Sequence, residues 1–420
     1  MSADETIANR IERLVAEEHD LRHREESDRN DADRIEGDQE RLREVEVELD
    51  RCWDLLRQRR ALRDAGADPD QAHVRDPDTV ERYWQLPARP RCKSPLDDSA
   101  NVEDDTATQE TRAMELDGIH HITCITADAP GNVDFYARVL GLRLVKKTVN
   151  FDAPDVYHLY FGDEGGAPGS ILTFFEFPDA APGRAGAGMI HRLRWRVASK
   201  KALAFWADRL AAENVETHEL DDAIRFDDPE GLSLELAVTN TTDEPLTARA
   251  QDIPPEHALQ GFDGVRVYAP ARGEESKLLT GTLGFTLDAP GEYRLTGRRT
   301  ATYGYDDPPP AVGLQGAGTV HHIAWCDRDD EHAAWRARLL EAGERPTPVI
   351  DRQYFLSIYF REPRGVLFEL ATPSPGFAID EDPEHLGEQL RLPPQYENLR
   401  DRLQAELTPL ANPRQNRARS

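Results

Sequence analysis

The sequence is poor in cysteine and has no long apolar run. Only 4 cysteines occur among 420 residues, and no two of them have the Cys-x-x-Cys spacing of a zinc or redox motif. This scarcity argues against a disulfide-framed fold and predicts free thiols in a reducing compartment. Neither an apolar stretch of about 18 residues nor a charged-then-apolar leader is present, so we expect no membrane span and no signal peptide. Together these absences predict a cytoplasmic protein.

Lysine is also scarce, and negative charge dominates. Only 6 of the 51 basic residues are lysine, the acidic residues number 79, and the net charge is -28. Such a charge repels phosphate backbones, which argues against nucleic acid as a partner. A uniformly acidic, lysine-poor surface is typical of adaptation to high salt, because concentrated cations screen the self-repulsion that opposes the compact state. We therefore expect a halophilic protein.

A repeated histidine pair is the most informative feature that the sequence does contain. His120-His121 and His321-His322 each open a hydrophobic, strand-like run, and Glu369 closes a later one. Two imidazoles and one carboxylate are the ligand set of mononuclear non-haem Fe(II) oxygenases, in which the metal keeps positions open for substrate and O2. A lone histidine in an apolar strand is more often a satisfied core residue. Recurrence of the same residue order about 200 positions later instead points to equivalent places in duplicated units.

The duplicated unit occurs four times. Its copies open at Gly118, Met189, Gly261 and Val320, and the second and fourth close on the same Gly-x-x-x-Glu-Leu pattern. Each copy changes between periods of 2 and 3.6, which predicts one strand, one amphipathic helix and about three further strands. The pattern therefore predicts an α+β protein built from four βαβββ modules, with modules one and two over 116–245, modules three and four over 258–375, and a tail with a short helix over 376–420.

The segment before the modules follows a different pattern. Residues 2–5 resemble a capping box, and apolar residues spaced three and four apart then mark two helices, which predict an antiparallel helical hairpin over 1–68. A stretch rich in Pro, Asp, Ser and Thr follows, so 69–115 is predicted as a partly structured linker. A hairpin this short buries little core alone, so its apolar stripes favour a homo-oligomer formed through a coiled-coil-like bundle.

The modules resemble the vicinal oxygen chelate superfamily of glyoxalases, bleomycin-resistance proteins and extradiol dioxygenases, and within it the hydroquinone-type ring-cleaving dioxygenases. The resemblance is carried by 118–123 (Gly-Ile-His-His-Ile-Thr), by 157–163 (Tyr-His-Leu-Tyr-Phe-Gly-Asp), by the opening and close of module four, and by 386–397. It covers about residues 115–398 and implies that the modules form two paired half-barrel domains. Residues 46–62 resemble a short, uncharacterised helical family that also occurs alone.

The resemblance implies a ligand set as well. A half-barrel module of the superfamily can offer one ligand from its first strand and one from its last, and the family's iron ligands carry over onto His121, His322 and Glu369. The last strand of module one has Thr173 where a carboxylate would fall. Module three has Gly264 in its first-strand position and is expected to end on 311–314 (Ala-Val-Gly-Leu), so it offers no ligand.

Module two is the ambiguous case. It has Arg192 in the first-strand position beside Glu235, with His191 preceding it. A guanidinium cannot be deprotonated to bind a metal. An ion pair or a vestigial site is therefore the expected role of Arg192 and Glu235.

Further residues match the family's pocket. If the strands are regular, His120 and His321 point away from the ligand face. They are expected either as core residues hydrogen-bonded to backbone or as catalytic groups at the pocket edge, where the family has them. Arg352 is expected to hold an anionic oxygen of the substrate, and Thr123 to contact the substrate. Tyr359 is expected to exchange a proton near the iron.

The sequence thus predicts a dioxygenase that uses Fe(II), with Mn(II) as the alternative metal, to open a hydroquinone or catechol-like ring with O2. Two other functions stay open. One is a glyoxalase-like isomerase or lyase that uses Zn, Ni or Mn as a Lewis acid. The other is a non-catalytic protein that binds an aromatic compound.

Overall fold

The computed structural model describes residues 114–151, 153–178, 180–269 and 275–414, together with 71–73 and five single positions nearer the N-terminus. The chain divides into two compact units, Met1–Ala107 and Thr108–Ser420. The predicted hairpin over 1–68 and linker over 69–115 lie almost wholly outside the described residues, so both stay predictions. Within the first unit, Arg10 Nη2 donates a 3.0 Å hydrogen bond to Glu48 Oε2.

The second unit contains two eight-stranded sheets. The first sheet has the order β14-β15-β16-β13-β1-β4-β3-β2. Its strands are β1 (Ile119–Thr126), β2 (Arg143–Val149), β3 (Tyr157–Gly162), β4 (Ile171–Glu176), β13 (Val320–Cys326), β14 (Ile350–Asp351), β15 (Phe355–Arg361) and β16 (Leu367–Pro375). This sheet is therefore made of modules one and four.

The second sheet repeats that plan with the order β10-β11-β12-β9-β5-β8-β7-β6. Its strands are β5 (Met189–Val197), β6 (His218–Glu219), β7 (Ala223–Asp227), β8 (Ser233–Val238), β9 (Phe262–Tyr268), β10 (Thr286–Ala289), β11 (Glu292–Thr296) and β12 (Thr300–Asp306). It consists of modules two and three.

Each sheet is built around the first strands of its two modules. These strands pair antiparallel, β1 with β13 and β5 with β9, and each also pairs in parallel with the last strand of its own module. The predicted α+β class with two paired half-barrels is confirmed. The predicted segments 116–245 and 258–375 follow the order of the modules along the chain. In space, module one of the first segment pairs with module four of the second, and module two pairs with module three.

Helices cover the sheets. They are α1 (Ala129–Val133) with a π-helical turn (Asp134–Val139), α2 (Lys200–Ala212), a second π-helical turn (Leu278–Thr282), α3 (His332–Glu341) and α4 (Arg400–Glu406). The sequence of α2 shows why it forms: Ser199 caps its N-terminus by accepting from the Ala202 N–H, and Leu203, Trp206 and Leu210 form one buried stripe. No helix among the described residues is long and apolar enough to cross a membrane.

Two apolar clusters define the core. The larger one extends through both sheets and includes Trp195, Trp206 and Trp325. The smaller one lies in the first sheet, where the C-terminal tail covers it: the ring of Phe377 lies 5.0 Å from that of Tyr160. The tail thus shields part of the first sheet from water.

Candidate metal centre

Three neighbouring strands of the first sheet bring His121, His322 and Glu369 together. His121 lies on β1, His322 on β13 and Glu369 on β16, and all three side chains are buried. His121 Nε2 lies 3.2 Å from His322 Nε2 and 3.2 Å from Glu369 Oε2, and His322 Nε2 lies 3.0 Å from the same oxygen. Three potential ligand atoms therefore converge on one point.

The spacing of these three residues, hereafter the triad, fits a bound cation. Ligands about 2.1 Å from one ion and at right angles to each other lie about 3.0 Å apart. Glu369 Oε2 accepts no well-aligned hydrogen bond from any described residue. Burial opposes the charged form of Glu369, but proximity to His121 and His322 holds its pKa well below its usual value. The triad thus presents an ionised carboxylate oxygen that faces two imidazole nitrogens at 3.0 and 3.2 Å.

A hydroxyl group fixes the orientation of that carboxylate. Ser357 on β15 donates from Oγ to Glu369 Oε1 at 2.5 Å. One carboxylate oxygen is therefore anchored to the protein, which leaves Oε2 directed at the two imidazoles. Sequence reasoning did not single out Ser357.

His120 and His321 do not point away from the ligand face, as they would in a regular strand. The β1–β13 ladder skips one residue between Ile119 and His121 and one between Val320 and His322. These irregularities place each preceding histidine in a bulge, and a bulge re-aims its side chain. Nδ1 of His120 consequently lies 2.8 Å from Nδ1 of His121, and the corresponding His321–His322 distance is 2.7 Å.

These contacts set the protonation of a ligand histidine. His120 Nε2 lies 3.1 Å from the Thr372 carbonyl, which can only accept, so His120 carries its proton on Nε2. Burial above all lowers the pKa of His120 to about 3, which keeps the ring neutral. Its Nδ1 therefore accepts from Nδ1–H of His121. The Nε2 lone pair of His121 is left facing the triad, as metal ligation requires.

The carboxylate position of module one is occupied by an uncharged hydrogen-bond chain. Tyr160 OH contacts His158 Nδ1 at 2.8 Å, His158 Nε2 contacts Thr173 Oγ1 at 2.9 Å, and Thr173 donates to Thr123 Oγ1 at 2.9 Å. Burial, with His121 and His322 nearby, lowers the pKa of His158 well below its usual value. The carboxylate position of module one, where a fourth protein ligand would lie, therefore has no anionic side chain.

Two of these residues bear on the predictions. His158 was missed, because a single histidine within a strand carries no signal by itself. Thr123, predicted to contact substrate, has its oxygen occupied by Thr173 and is fully buried, so that role stays a prediction.

The two other predicted pocket residues lie beside the triad. Arg352 Nε donates to Tyr359 OH at 3.3 Å, and the ring of Tyr359 lies 5.7 Å from that of His322. Burial and the charge of Glu369 raise the pKa of Tyr359, so its hydroxyl is protonated. Phe355, which was not predicted, places its ring 5.0 Å from that of His121.

Module three closes at a different place from the one predicted. Its last strand is β12, which ends at Asp306, so residues 311–314 lie beyond it. In the parallel ladder with β9, Gly304 stands opposite Arg266, where module one sets Thr173 opposite Thr123. Gly304, and not a residue of the predicted ending 311–314, therefore occupies the carboxylate position of module three. The expectation that module three offers no such ligand is unchanged, because glycine has no side chain.

The fold and the triad define a class: a protein of paired βαβββ half-barrels with a buried two-histidine, one-carboxylate centre. A family model described as "Glyoxalase/Bleomycin resistance protein/Dioxygenase superfamily" matches residues 118–236. A second model, "Protein of unknown function (DUF2630)", matches residues 3–85, where we noted resemblance to an uncharacterised helical family.

Named relatives cover the second unit. The "putative ring-cleaving dioxygenase MhqO" of Bacillus subtilis is 43% identical over 308 residues, which is 71% of this chain and 97% of the relative. The chlorohydroquinone/hydroquinone 1,2-dioxygenase of Sphingobium indicum is 33% identical over 308 residues, covering 69% of this chain and 95% of that one. The crystal structure of a "putative dioxygenase" from Bacillus subtilis matches with a TM-score of 0.67 and 40% identity, covering 71% of this chain and 99% of that one.

The chain belongs to the glyoxalase/bleomycin resistance protein/dioxygenase superfamily. Within it, the chain groups with the ring-cleaving dioxygenases.

Proposed function

We propose that the protein is an Fe(II)-dependent, extradiol-type dioxygenase that opens a hydroquinone-type ring with O2. The observation that carries this proposal is the convergence of the donor set that such chemistry uses: Nε2 of His121, Nε2 of His322 and Oε2 of Glu369 lie within 3.2 Å of one another. Three ligands on one face leave room for substrate and O2 on the other. The named activity of the relatives from Bacillus subtilis and Sphingobium indicum supports the same reaction.

The triad is suited to an anionic substrate oxygen. A ferrous ion held there would supply the electron transfer between substrate and dioxygen that ring opening requires. The neutral imidazoles of His121 and His322 add no charge, and Glu369 adds a single negative one. The protein ligands therefore leave a net positive centre, which favours a substrate hydroxyl bound as phenolate.

Arg352 and Tyr359 are placed to handle charge and protons. The protonated Tyr359 hydroxyl can donate a hydrogen bond to an oxygen near the triad and can then exchange that proton. Arg352 lies against it at 3.3 Å and brings a fixed positive charge. We assign Arg352 to the binding of an anionic substrate oxygen and Tyr359 to proton transfer.

Aromatic rings beside the triad support a planar substrate. Phe355 contacts the ring of His121 at 5.0 Å, and Phe175 lies 5.5 Å from His321 and 6.5 Å from His322. Flat apolar faces of this kind pack well against an aromatic ring. We infer that they orient the ring while the charged groups hold its oxygens.

Oxygen uptake by metal-loaded protein tests the proposal. Full-length protein freed of metal is loaded anaerobically with Fe(II), Mn(II) or Zn(II), and dioxygen consumption is then followed with hydroquinone, chlorohydroquinone and catechol. We expect consumption with Fe(II) and a hydroquinone, and a ring-opened product that contains both atoms of isotopically labelled O2. Oxygen-independent turnover with Zn(II) would instead identify a glyoxalase-like Lewis-acid enzyme. Tight aromatic binding without turnover under every metal would identify a binding protein.

A further inference from the structure

The second sheet has a cleft where the first sheet has its triad. Its volume is about 480 Å³, within the range of ordinary small-molecule sites. Four arginines line it, namely Arg192, Arg194, Arg225 and Arg266. Glu235 and Asp306 also line it, so four guanidinium groups and two carboxylates form the wall of the cleft. We call this region the arginine cleft.

Two of the four arginines are well compensated by carboxylates. Arg194 lies 2.8 Å from Glu235 and 2.8 Å from Asp263. Arg266 contacts Asp306 at 2.8 Å and Glu292 at 2.6 Å. These two side chains are therefore held in place within ion-pair networks.

The other two arginines face Glu235, which already pairs with Arg194. Arg225 Nε contacts Glu235 Oε2 at 2.7 Å, and Arg192 Nη1 lies 3.7 Å from the same oxygen, beyond hydrogen-bond distance. Arg192 Nε is buried and has no hydrogen-bond partner among the described residues. The Glu235 carboxylate thus faces three guanidinium groups, and that of Arg192 lies farthest from it.

The backbone around the cleft makes room for these groups. A Cβ at Gly304 would lie 2.0 Å from Arg266 Nη1, and a Cβ at Gly264 would lie 2.1 Å from Thr302 O. A side chain at Gly264 would therefore clash with backbone, and one at Gly304 would displace the guanidinium group of Arg266. The absence of side chains there lets Arg266 lie across β12 at the cleft.

We propose that the arginine cleft binds a small oxyanion, a carboxylate or a phosphate, through Arg192 and Arg225. A guanidinium group is planar and offers parallel N–H donors that match two oxygens of such an anion. The anion would accept the hydrogen bonds that Arg192 does not make within the protein. It would also offset the positive charge of the three arginines that surround Glu235. The site is distinct from the triad, since its residues lie on the second sheet.

Calorimetric titration of the full-length protein tests this proposal. Phosphate, benzoate and acetate are titrated separately at constant ionic strength set with potassium chloride, and Arg192→Gln is compared with Arg294→Gln. Arg294 is a matched control, because it lies on β11 of the same sheet with an exposed side chain. We expect one saturable site per chain in the wild type and in Arg294→Gln, and binding at least about tenfold weaker in Arg192→Gln.

The relative affinities of the three anions indicate which kind of oxyanion the cleft binds. Tighter binding of phosphate would indicate a phosphorylated ligand, and tighter binding of benzoate over acetate an aromatic carboxylate. Absence of saturable binding of all three to the wild type, or equal affinity in Arg192→Gln, would overturn the proposal. If Arg192→Gln does not fold, Arg225→Gln takes its place, and the rise in wild-type melting temperature with each anion over chloride gives the answer without a variant. Metal content and oxygen uptake are expected to be unchanged in Arg192→Gln.

Discussion

The two sheets have the same strand order and the same bulges, but the first holds two histidines and a glutamate where the second holds a cluster of arginines around a glutamate. In both, the central antiparallel ladder skips one residue on each strand: His120 and His321 in the first sheet, Asp263 and His191 in the second. The bulges that turn the first histidines toward their neighbours therefore exist in the second sheet as well. A bulge thus belongs to the shared fold, whereas the side chain that it carries differs.

The difference lies in a few equivalent positions. Glu235 pairs across to Arg194 as Glu369 pairs to Ala324, so the carboxylate is present in both sheets. Two positions before Arg194, however, the second sheet has Arg192 where the first has His322. The partner strand β9 has Gly264 where β1 has its ligand histidine. In the second sheet Glu235 pairs with arginines, whereas in the first sheet Glu369 faces two imidazole nitrogens.

Removing the carboxylate from each sheet in turn should give the largest contrast. We predict that Glu369→Ala loses its metal and its oxygen uptake, because it removes one of three protein ligands. Glu235→Ala should keep both but lower the free energy of unfolding by about 2 kcal/mol, since it leaves several arginines short of a partner. Metal analysis, oxygen uptake and chemical denaturation measure these effects. A metal-free Glu235→Ala beside a metal-loaded Glu369→Ala would reverse the assignment of the two sheets.

The grouping of His121, His322 and Glu369 in space was predictable from the sequence. His121 and His322 follow the same neighbours in two modules, and the resemblance to the ring-cleaving dioxygenases assigned Glu369 to the site. The placement of His120 was not predictable, because strand alternation holds only where the ladder is regular, and a bulge leaves no local mark in the residues. His158 was missed because its role comes from Tyr160 and Thr173, and only the paired strands β3 and β4 bring Thr173 close.

The arrangement of the four modules shows the same limit. Periodicity predicted each βαβββ unit, since that signal is local. Which modules share a sheet depends on pairing between β1 and β13, about 200 residues apart, and no pattern within either strand specifies its partner. The end of module three was misplaced for a related reason: β12 closes on Tyr305 and Asp306 without the Glu-Leu ending of modules two and four.

Tyr359 and its counterpart offer a second test. Tyr359 stands opposite Glu369 in the ladder, and Arg225 stands opposite Glu235. We predict that Tyr359→Phe keeps its metal and lowers kcat by about 100-fold, because it removes one hydroxyl and the proton transfer that we assign to it. Arg225→Gln should leave kcat unchanged. Steady-state oxygen uptake at saturating substrate decides, and wild-type kcat in Tyr359→Phe would remove this tyrosine from the mechanism.

The bulged residues allow a third, smaller contrast. His120→Ala removes the group that holds the proton of His121 on Nδ1, so we predict that metal affinity falls by about 10- to 100-fold while the fold is kept. Asp263→Asn, at the equivalent bulge of the second sheet, should not change metal affinity. Competition with a chelator of known affinity measures both variants. Equal affinities would mean that backbone geometry alone orients the ligand.

The smallest expected effect concerns why the second sheet has no histidine at the position of His121. A Cβ at Gly264 would lie 2.1 Å from Thr302 O, so even alanine must displace backbone. We predict that Gly264→Ala lowers the free energy of unfolding by about 1–3 kcal/mol. Gly281 is the control, because a Cβ there meets nothing within 4 Å. Denaturant unfolding compares the two variants. If Gly264→Ala were as stable as Gly281→Ala, the second sheet would have room for a ligand side chain. The absence of a second candidate metal cluster among the described residues would then depend on Arg192 rather than on the backbone.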